Sequence, residues 1–564
     1  MSLLSSLSIG RQALSVSQIG LQVAGNNIAN SQTPGFIREE MLLQPGPVQD
    51  LGNIRLGSGV QIEAIVQQID QLLEQRLRSA TADLSGSVAR DEIYARLESL
   101  LQELGENDLS TSLNRFFNSV QDVLNQPEDP AVRNLAVLQG ARLAEDFRRL
   151  TGQVDQMRQD LNLQVEDAAK EINRLLEQIS DLNRRIVTAE QGRTIKGDAG
   201  ALRSQRYQSL MELSQWIPVR AVEQAGGSVN VFYESESLIY ESTVRQVETV
   251  YGEDANGLRA ADLVIADTQT PLQPEAGKLA GLVDSRDEIL GGFLDTLNTL
   301  ASDVIRQFNR VHASGQGLVG MQQVTAERAV DDSGEPLDSV GLPFPPTSGT
   351  FQLILRNRQT DVTTRTSISI QLNGRGDDST LQDLADQLDA VDGLTATIEQ
   401  GRLSMTVDDP TLEFAFQDDT SGVLAALGIN TFFSGTNGRD IDIAATLRQD
   451  PRLFAASRSG IGADSRNAET LGALFTTPAD EADTSLQDQY HNMVSGVSQA
   501  AAVSKSVTEG YRLFQETLRG EKLAKSGVNI DEEAIRMISM QRMFQASARF
   551  IATVNELLDV LVRL

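Results

Sequence analysis

Apolar and small residues alternate in steps of four and three through Leu3, Leu7, Gly10, Leu14, Ser17, Leu21, Ala24 and Ile28. That is the heptad stripe of a helix built to pack against another helix. It runs into Asn26-Asn27-Ile28-Ala29-Asn30 and stops at Thr33-Pro34-Gly35, where proline and glycine end a helix. Residues 41–60 contain Pro45, Pro47 and several glycines and read as extended or looped, and residues 61–190 as helix-rich. Within the latter, a second stripe passes through Leu143, Phe147, Leu150, Val154, Met157 and Leu161, takes an extra step of four to Val165, and continues through Ala168, Ile172, Leu175, Ile179, Leu182 and Ile186. The extra step is a stutter, and the stripe predicts one helix from Leu143 to Ala189, ~70 Å long.

Near Gly226 the period shortens to two. Val229, Val231 and Tyr233 alternate with polar residues, as do Ile368, Ile370 and Leu372, and then Leu403, Met405 and Val407. A short helix carries Leu381, Leu384, Ala385 and Leu388. Residues 284–313 return to helical period with Ile289, Phe293, Leu297, Leu300, Val304, Ile305 and Phe308, and helix resumes after about residue 440. The last helix has Asn529 as cap and Glu532 at its third position, then an apolar stripe through Met537, Met540, Phe544, Ser547, Ile551, Val554, Leu558 and Leu561. From Ile530 to Leu564 it would reach ~52 Å.

The fold class is therefore mainly α with β-rich insertions. One hydrophobic core stops growing at roughly 250–300 residues, so a chain of 564 residues divides into several domains. The periodicities place a helical rod domain at 61–199 with 284–314 and 440–525, and outer β-rich structure at 200–283 and 315–439. Residues 1–60 and 526–564 are the two ends, each carrying a helical apolar stripe.

Charge sharpens this division. The chain carries −30, but residues 1–38 hold +2 and residues 518–564 hold +1, leaving −33 for the interior. Nearly neutral ends suit segments stacked in many copies, because like charges repel at every repeat. So acidic a chain is repelled by nucleic acid and by anionic membrane surfaces, and neither is an expected partner. No run approaches the ~20 apolar residues that span a bilayer, and the N-terminus has neither the basic nor the apolar region of a signal peptide.

Candidate chemistry is sparse. With no cysteine there are no disulfides, thiolate metal sites or cysteine nucleophiles. His312 and His491 lie far apart and outside any metal-ligand spacing, and phosphate-binding loops and nucleophile elbows are missing. Trp216, the single tryptophan, reads as a packing residue. Arg375-Gly376-Asp377 spells a cell-adhesion tripeptide, too short to carry weight. No catalytic residue, cofactor site or metal site is assigned, and the expectation is a protein that is not an enzyme.

Asn26-Asn27-Ile28-Ala29-Asn30-Ser31-Gln32-Thr33-Pro34-Gly35-Phe36 resembles the N-terminal signature of the flagellar rod, hook and hook-associated proteins. Ser526-Gly527-Val528-Asn529-Ile530-Asp531-Glu532-Glu533, with Gln541 and Phe544-Gln545-Ala546-Ser547-Ala548-Arg549, resembles their C-terminal signature. Asp419 to Asn430 and Phe432-Phe433-Ser434-Gly435 are similar to an internal signature of the hook–filament junction members. Phe36 and Phe544 stand where the family often has tyrosine, and Ile37-Arg38 where it often has serine and arginine. The aromatic bodies remain and the hydroxyls are lost.

The resemblance implies a structural subunit that joins hook to filament by assembling with its own copies into a helical ring, with its terminal helices, in 1–60 and 526–564, paired as a terminal coiled-coil core domain. Its partners would be the hook protein, a second junction protein and a cytoplasmic export chaperone on the C-terminal helix. It would leave by the flagellar type III apparatus and reside outside the cell, at the hook–filament junction. The alternatives are another axial protein, hook or distal rod, or a secreted enzyme or adhesin on an axial scaffold. The assembly interface would be the terminal stripes, Leu7, Leu14, Leu21 and Ile28 with Phe544, Ile551, Val554, Leu558 and Leu561. Because Gly10 and Ser17 bury so little, residues 1–60 and 526–564 are expected to stay mobile until copies bury them.

Overall fold

The computed structural model describes residues 3–51, 54–102, 108–190, 196–197, 199–254, 257–462, 464–478 and 484–563. Its helices are α1 (Leu3–Ala29), α2 (Gln71–Gln102), α3 (Leu109–Asn125), α4 (Pro130–Glu190), α5 (Gly200–Trp216), α6 (Lys278–Asp284), α7 (Gly291–Ala313), α8 (Leu381–Asp389), α9 (Val423–Leu427), α10 (Ala445–Gln449), α11 (Arg466–Ala473), α12 (Leu486–Ser526) and α13 (Ile530–Arg563). The chain divides into two compact units: Met1–Ile93, Asp160–Asp287 and Ala502–Leu564 form one, and Tyr94–Gln159 with Glu288–Ala501 the other. The division falls inside α2, α4 and α12, each of which supplies residues to both. The expected rod is α4, 61 residues without a break and ~90 Å long, with Leu161 and Val165 buried on either side of the stutter.

In the first unit, strand Glu39–Pro45 pairs antiparallel with Val60–Gln67, so extended chain lies where helix was expected to begin at 61. Farther on, a four-stranded sheet (residues 220–244) and a three-stranded sheet (residues 247–272) are seated on α4. Three asparagines on α4 hold them by the backbone. Asn162 accepts from Ala261 N and donates to Arg259 O, Asn173 bonds both backbone groups of Val247, and Asn183 both of Val229, all at 2.7–3.1 Å. Three helical turns span about 11 residues, so the three amides lie on one face. Elsewhere α2 packs on α12, with Leu518 buried among Leu73, Leu77 and Ala80. Lys522 meets Glu74, and Lys525 meets Asp70, each at 2.6 Å. The hydrogen bond from the Lys525 ammonium holds the Asp70 carboxyl below its ordinary range.

The second unit has two apolar centres. One is aromatic: Phe116, Phe308, Phe432, Phe433 and Phe454 are all buried, with Phe308 and Phe432 ring centres 4.8 Å apart. A chain with 5% aromatics concentrates them here. The other centre belongs to the β-rich segment, where strand Gly349–Asn357 lies between Thr363–Ile370 and Leu412–Gln417, and Arg402–Val407 between Gln323–Thr325 and Leu394–Glu399. Phe351, Leu353, Leu384, Leu403, Phe414 and Leu427 close its core.

Residues 419–435, the internal signature, stitch these two centres together. Asp419 accepts from Gly422 N and Leu424 N, fixing the start of α9, whose Leu424 and Leu427 enter the β core. Asn430 Nδ2 donates to Ala313 O and Gly315 O, satisfying carbonyls at the end of α7. Asn309 then bonds the backbone of Phe432 and Phe433 and fixes both rings in the helical core. His312, wholly buried, lies between Asn430 O at 2.8 Å and Ala455 N at 3.0 Å, so its Nδ1–H donates and its Nε2 accepts. Burial pushes its pKa down to about 4, which keeps the ring neutral.

Candidate assembly site at the paired termini

The two ends of the chain pack on each other. Gly10, Ser17, Gly20 and Ala24 are buried on α1 and Ser547 and Val554 on α13, so the contact is made by small residues that let the helices approach closely. A Cβ on Gly10 would come within 2.8 Å of Ile551 Cγ1, and one on Gly20 within 2.8 Å of Met540 Sδ. The two ends, expected to pair only among assembled copies, are paired within one chain in this structure. The weak N-terminal stripe is held within one chain because its glycines are shaped to the C-terminal stripe.

Both signature blocks meet at this pairing. Asn27, fully buried, donates to Glu39 O at 2.9 Å and to Glu533 Oε2 at 3.1 Å, and accepts from Glu39 N at 3.0 Å. Arg38 Nε donates to Glu533 Oε1 at 3.0 Å, and Arg38 N to Ser526 O at 3.1 Å. Asn529 caps α13 as expected, accepting from Asp531 N at 3.0 Å. The Glu532 carboxylate reaches Arg38 at 3.6 Å, so this acid serves the junction between the ends. Asn30 closes α1 by donating to Asn26 O and accepting from Thr33 Oγ1. Thr33 and Pro34 are exposed, Gly35 turns with φ +76°, and Phe36 and Phe544 are half-buried. Ser526 is buried, and Gly527 N donates to Leu523 O at 3.0 Å.

The stripe residues separate into two groups. Leu7, Leu14, Leu21, Ile28, Phe544, Ile551 and Leu558 are half-buried and Val554 is buried, whereas Leu561 is exposed. The stripes are thus largely spent inside the chain. A different face of α13 remains open, with Ile535, Ile538, Phe550, Leu557 and Val560 each 45–68% exposed. An exposed apolar face of this kind makes this side of α13 a candidate interaction surface. The signal was present in the sequence as a second set of apolar positions on α13, hidden by the stronger 3–4 stripe.

Among the described residues no group of three or more His, Asp or Glu is placed to hold a metal ion, and no helix is long and apolar enough to cross a membrane. His491 is exposed, and Trp216 is half-buried with the Lys278 ammonium 4.9 Å over its ring. Arg375, Gly376 and Asp377 lie in an exposed turn.

Comparison with known proteins follows the same lines. A profile described as the flagellar hook-associated protein FlgK helical domain matches residues 94–325, and one described as the flagellar basal body rod FlgEFG protein C-terminal matches 520–564. Flagellar hook-associated protein 1 of Escherichia coli (strain K12) is 25% identical over 98% of this chain and 98% of its own. That of Bacillus subtilis (strain 168) is 23% identical over 56% of this chain and 68% of its own. The solved structure of the flagellar hook junction protein FlgK from Burkholderia pseudomallei shares the fold, with a TM-score of 0.53 at 15% identity over 80% of this chain and 100% of that one. The chain is thus similar to flagellar axial proteins both in its helical domain and at its C-terminal end, which supports a structural, axial role in the flagellum. Within that family its similarity over nearly the whole length is to hook-associated protein 1.

Proposed function

We propose that the chain is the first junction subunit between hook and filament, assembling with its copies into a helical ring. The observation that carries this reading is the meeting of the two signature blocks at Glu533. One subunit thereby closes its own ends into a helical pair and keeps a second apolar face of α13 for its neighbours. The paired ends, 1–60 with 526–564, would form the innermost layer. The helical segments 61–199, 284–314 and 440–525 would surround it, with the β-rich segments 200–283 and 315–439 outermost. The hook protein and a second junction protein would lie on either side of the ring. Before assembly an export chaperone would cover the open face of α13 in the cytoplasm, in the manner of a helix laid on a helix. Export through the flagellar type III apparatus would deliver the chain to the cell exterior.

Deletion of the gene together with immunogold labelling tests the reading. Loss of filaments from intact hooks, with label at the hook–filament boundary, is the expected result. Label along the hook or in the rod would overturn it in favour of another axial position.

A further inference from the structure

A cavity of about 500 Å³ lies wholly within the second unit, between α7, the segment after α9 and α11. Arg306 and Arg310, one turn apart on α7, line it together with Arg458. Like charges one turn apart on a helix repel, and Asp303 answers only the first of the pair, accepting from Arg306 Nη2 at 2.9 Å. Asp419 is the acid among the described lining residues, and its carboxylate is committed to the start of α9, accepting from Ser421, Gly422 N and Leu424 N. Gln307 belongs to the same wall and is 4% exposed. Neither its amide nitrogen nor its amide oxygen has a hydrogen-bond partner among the described residues, and the buried Nε of Arg458 has none either. A folded chain loses stability by burying such groups unpaired, so native structures keep few of them. Three on the wall of one cavity point to a ligand that pairs with them.

The unpaired groups say what that ligand carries. A guanidinium fork matches the two oxygens of a carboxylate. The Gln307 amide offers donors and an acceptor side by side, and a hydroxyl group, which both donates and accepts, meets either. Thr470 Oγ1 donates to Arg466 O at 3.2 Å and keeps its lone pairs for a second hydroxyl. Val311 and Leu474 supply an apolar side for the C–H face of a ring. The volume falls in the range of small-molecule sites, about 300–1,000 Å³, and is far larger than a bare inorganic anion fills. We propose that this cavity binds a hydroxylated organic acid the size of one sugar ring, of which a uronate is the type. Arg458 and Arg310 hold the carboxylate, and Gln307 holds a ring hydroxyl.

Isothermal titration calorimetry of the purified full chain with D-glucuronate, at fixed ionic strength, tests the site. Saturable binding is expected, with D-glucose and acetate, each offering half of the chemistry, weaker by about tenfold or more. Gln307→Leu and Arg458→Gln should each weaken glucuronate binding by about tenfold or more. The first of these also separates a ligand site from a structural amide. Gln307→Leu removes a buried unpaired group, so without glucuronate it should melt above the unaltered chain, whereas loss of an amide that holds the fold would make it melt lower. Glucuronate should in turn raise the melting temperature of the unaltered chain and leave that of Gln307→Leu unmoved. Absence of binding at millimolar glucuronate, glucose or acetate binding as tightly as glucuronate, or unchanged affinity in both variants would overturn the proposal. A lower melting temperature for ligand-free Gln307→Leu would overturn it as well.

Discussion

Arg38 and Glu533, 495 positions apart, are joined by a 3.0 Å bond between Nε and Oε1, and the Glu533 side chain is only 2% exposed. Removing Glu533 takes away the hydrogen-bonded partner of a mostly buried guanidinium and leaves it only the exposed Glu532, at 3.6 Å. Glu533→Ala should therefore destabilise the terminal pair by about 3 kcal/mol, since Asn27 loses a partner as well. Amide hydrogen exchange should speed up across α1 and the start of α13 while the β-rich core stays protected. Unchanged exchange in α1 would show that the ion pair does not hold the ends together.

Two glycines of α1 should respond with opposite signs. Gly10→Leu drives a side chain into Ile551 and should cost about 1–3 kcal/mol, separating the helices. Gly25→Ala meets nothing within 4 Å and should stabilise by about 0.5–1 kcal/mol through the unfolded chain. Denaturant midpoints of the two variants settle the comparison.

Aspartate at Ile551, a natural choice from the sequence, would damage the subunit itself because Ile551 packs against Gly10 of α1. Aspartate at Ile538 and Leu557, exposed by 50% and 51%, should leave the monomer's melting temperature unchanged and abolish incorporation into flagella. Incorporation at the unaltered level would show that this face of α13 meets no neighbour.

His312 gives the second unit a distinct pH dependence. The folded chain prefers the neutral ring, so between pH 6.5 and about 4 the unfolded chain binds the proton first and stability falls as pH falls. The loss should total roughly 3 kcal/mol and level off below pH 4. His312→Gln should be less stable at neutral pH and lack this slope, as read by urea midpoints across the range. An identical slope in the variant would assign it to another group.

The β-rich segment should be removable, but only with the right cuts. Asn430 Nδ2 lies 3.0 Å from Gly315 O, so the chain enters and leaves this segment at neighbouring points. Replacing 317–428 with a short glycine linker should leave the helical core folded and secretion intact. Excising 315–439 removes Phe432 and Phe433 from the aromatic centre and should abolish both, which secretion assays of the two deletions would show.

The long stripes were readable because a 3–4 period names a helix and its buried face. It does not name the partner, which is why Ile551 read as a contact between copies when it meets Gly10 of the same chain. Phe433 and Ser434 form a short strand, yet the side chains of Phe432 and Phe433 enter a helical core, since what directs them is Asn309 on α7. Asn162, Asn173 and Asn183 gave no signal at all. A polar residue in a long helix looks like a solvated position until the strand it holds is placed beside it.

Those three amides carry a consequence for how the outer surface can change. On the strands each grips only N–H and C=O, groups that every residue except proline supplies in full. The seats at Val229, Val247 and Arg259–Ala261 are therefore blind to side-chain identity. Solvent-facing residues of the two sheets can be exchanged freely by selection, or by an engineer grafting a new loop, while the strands keep their hold on the rod.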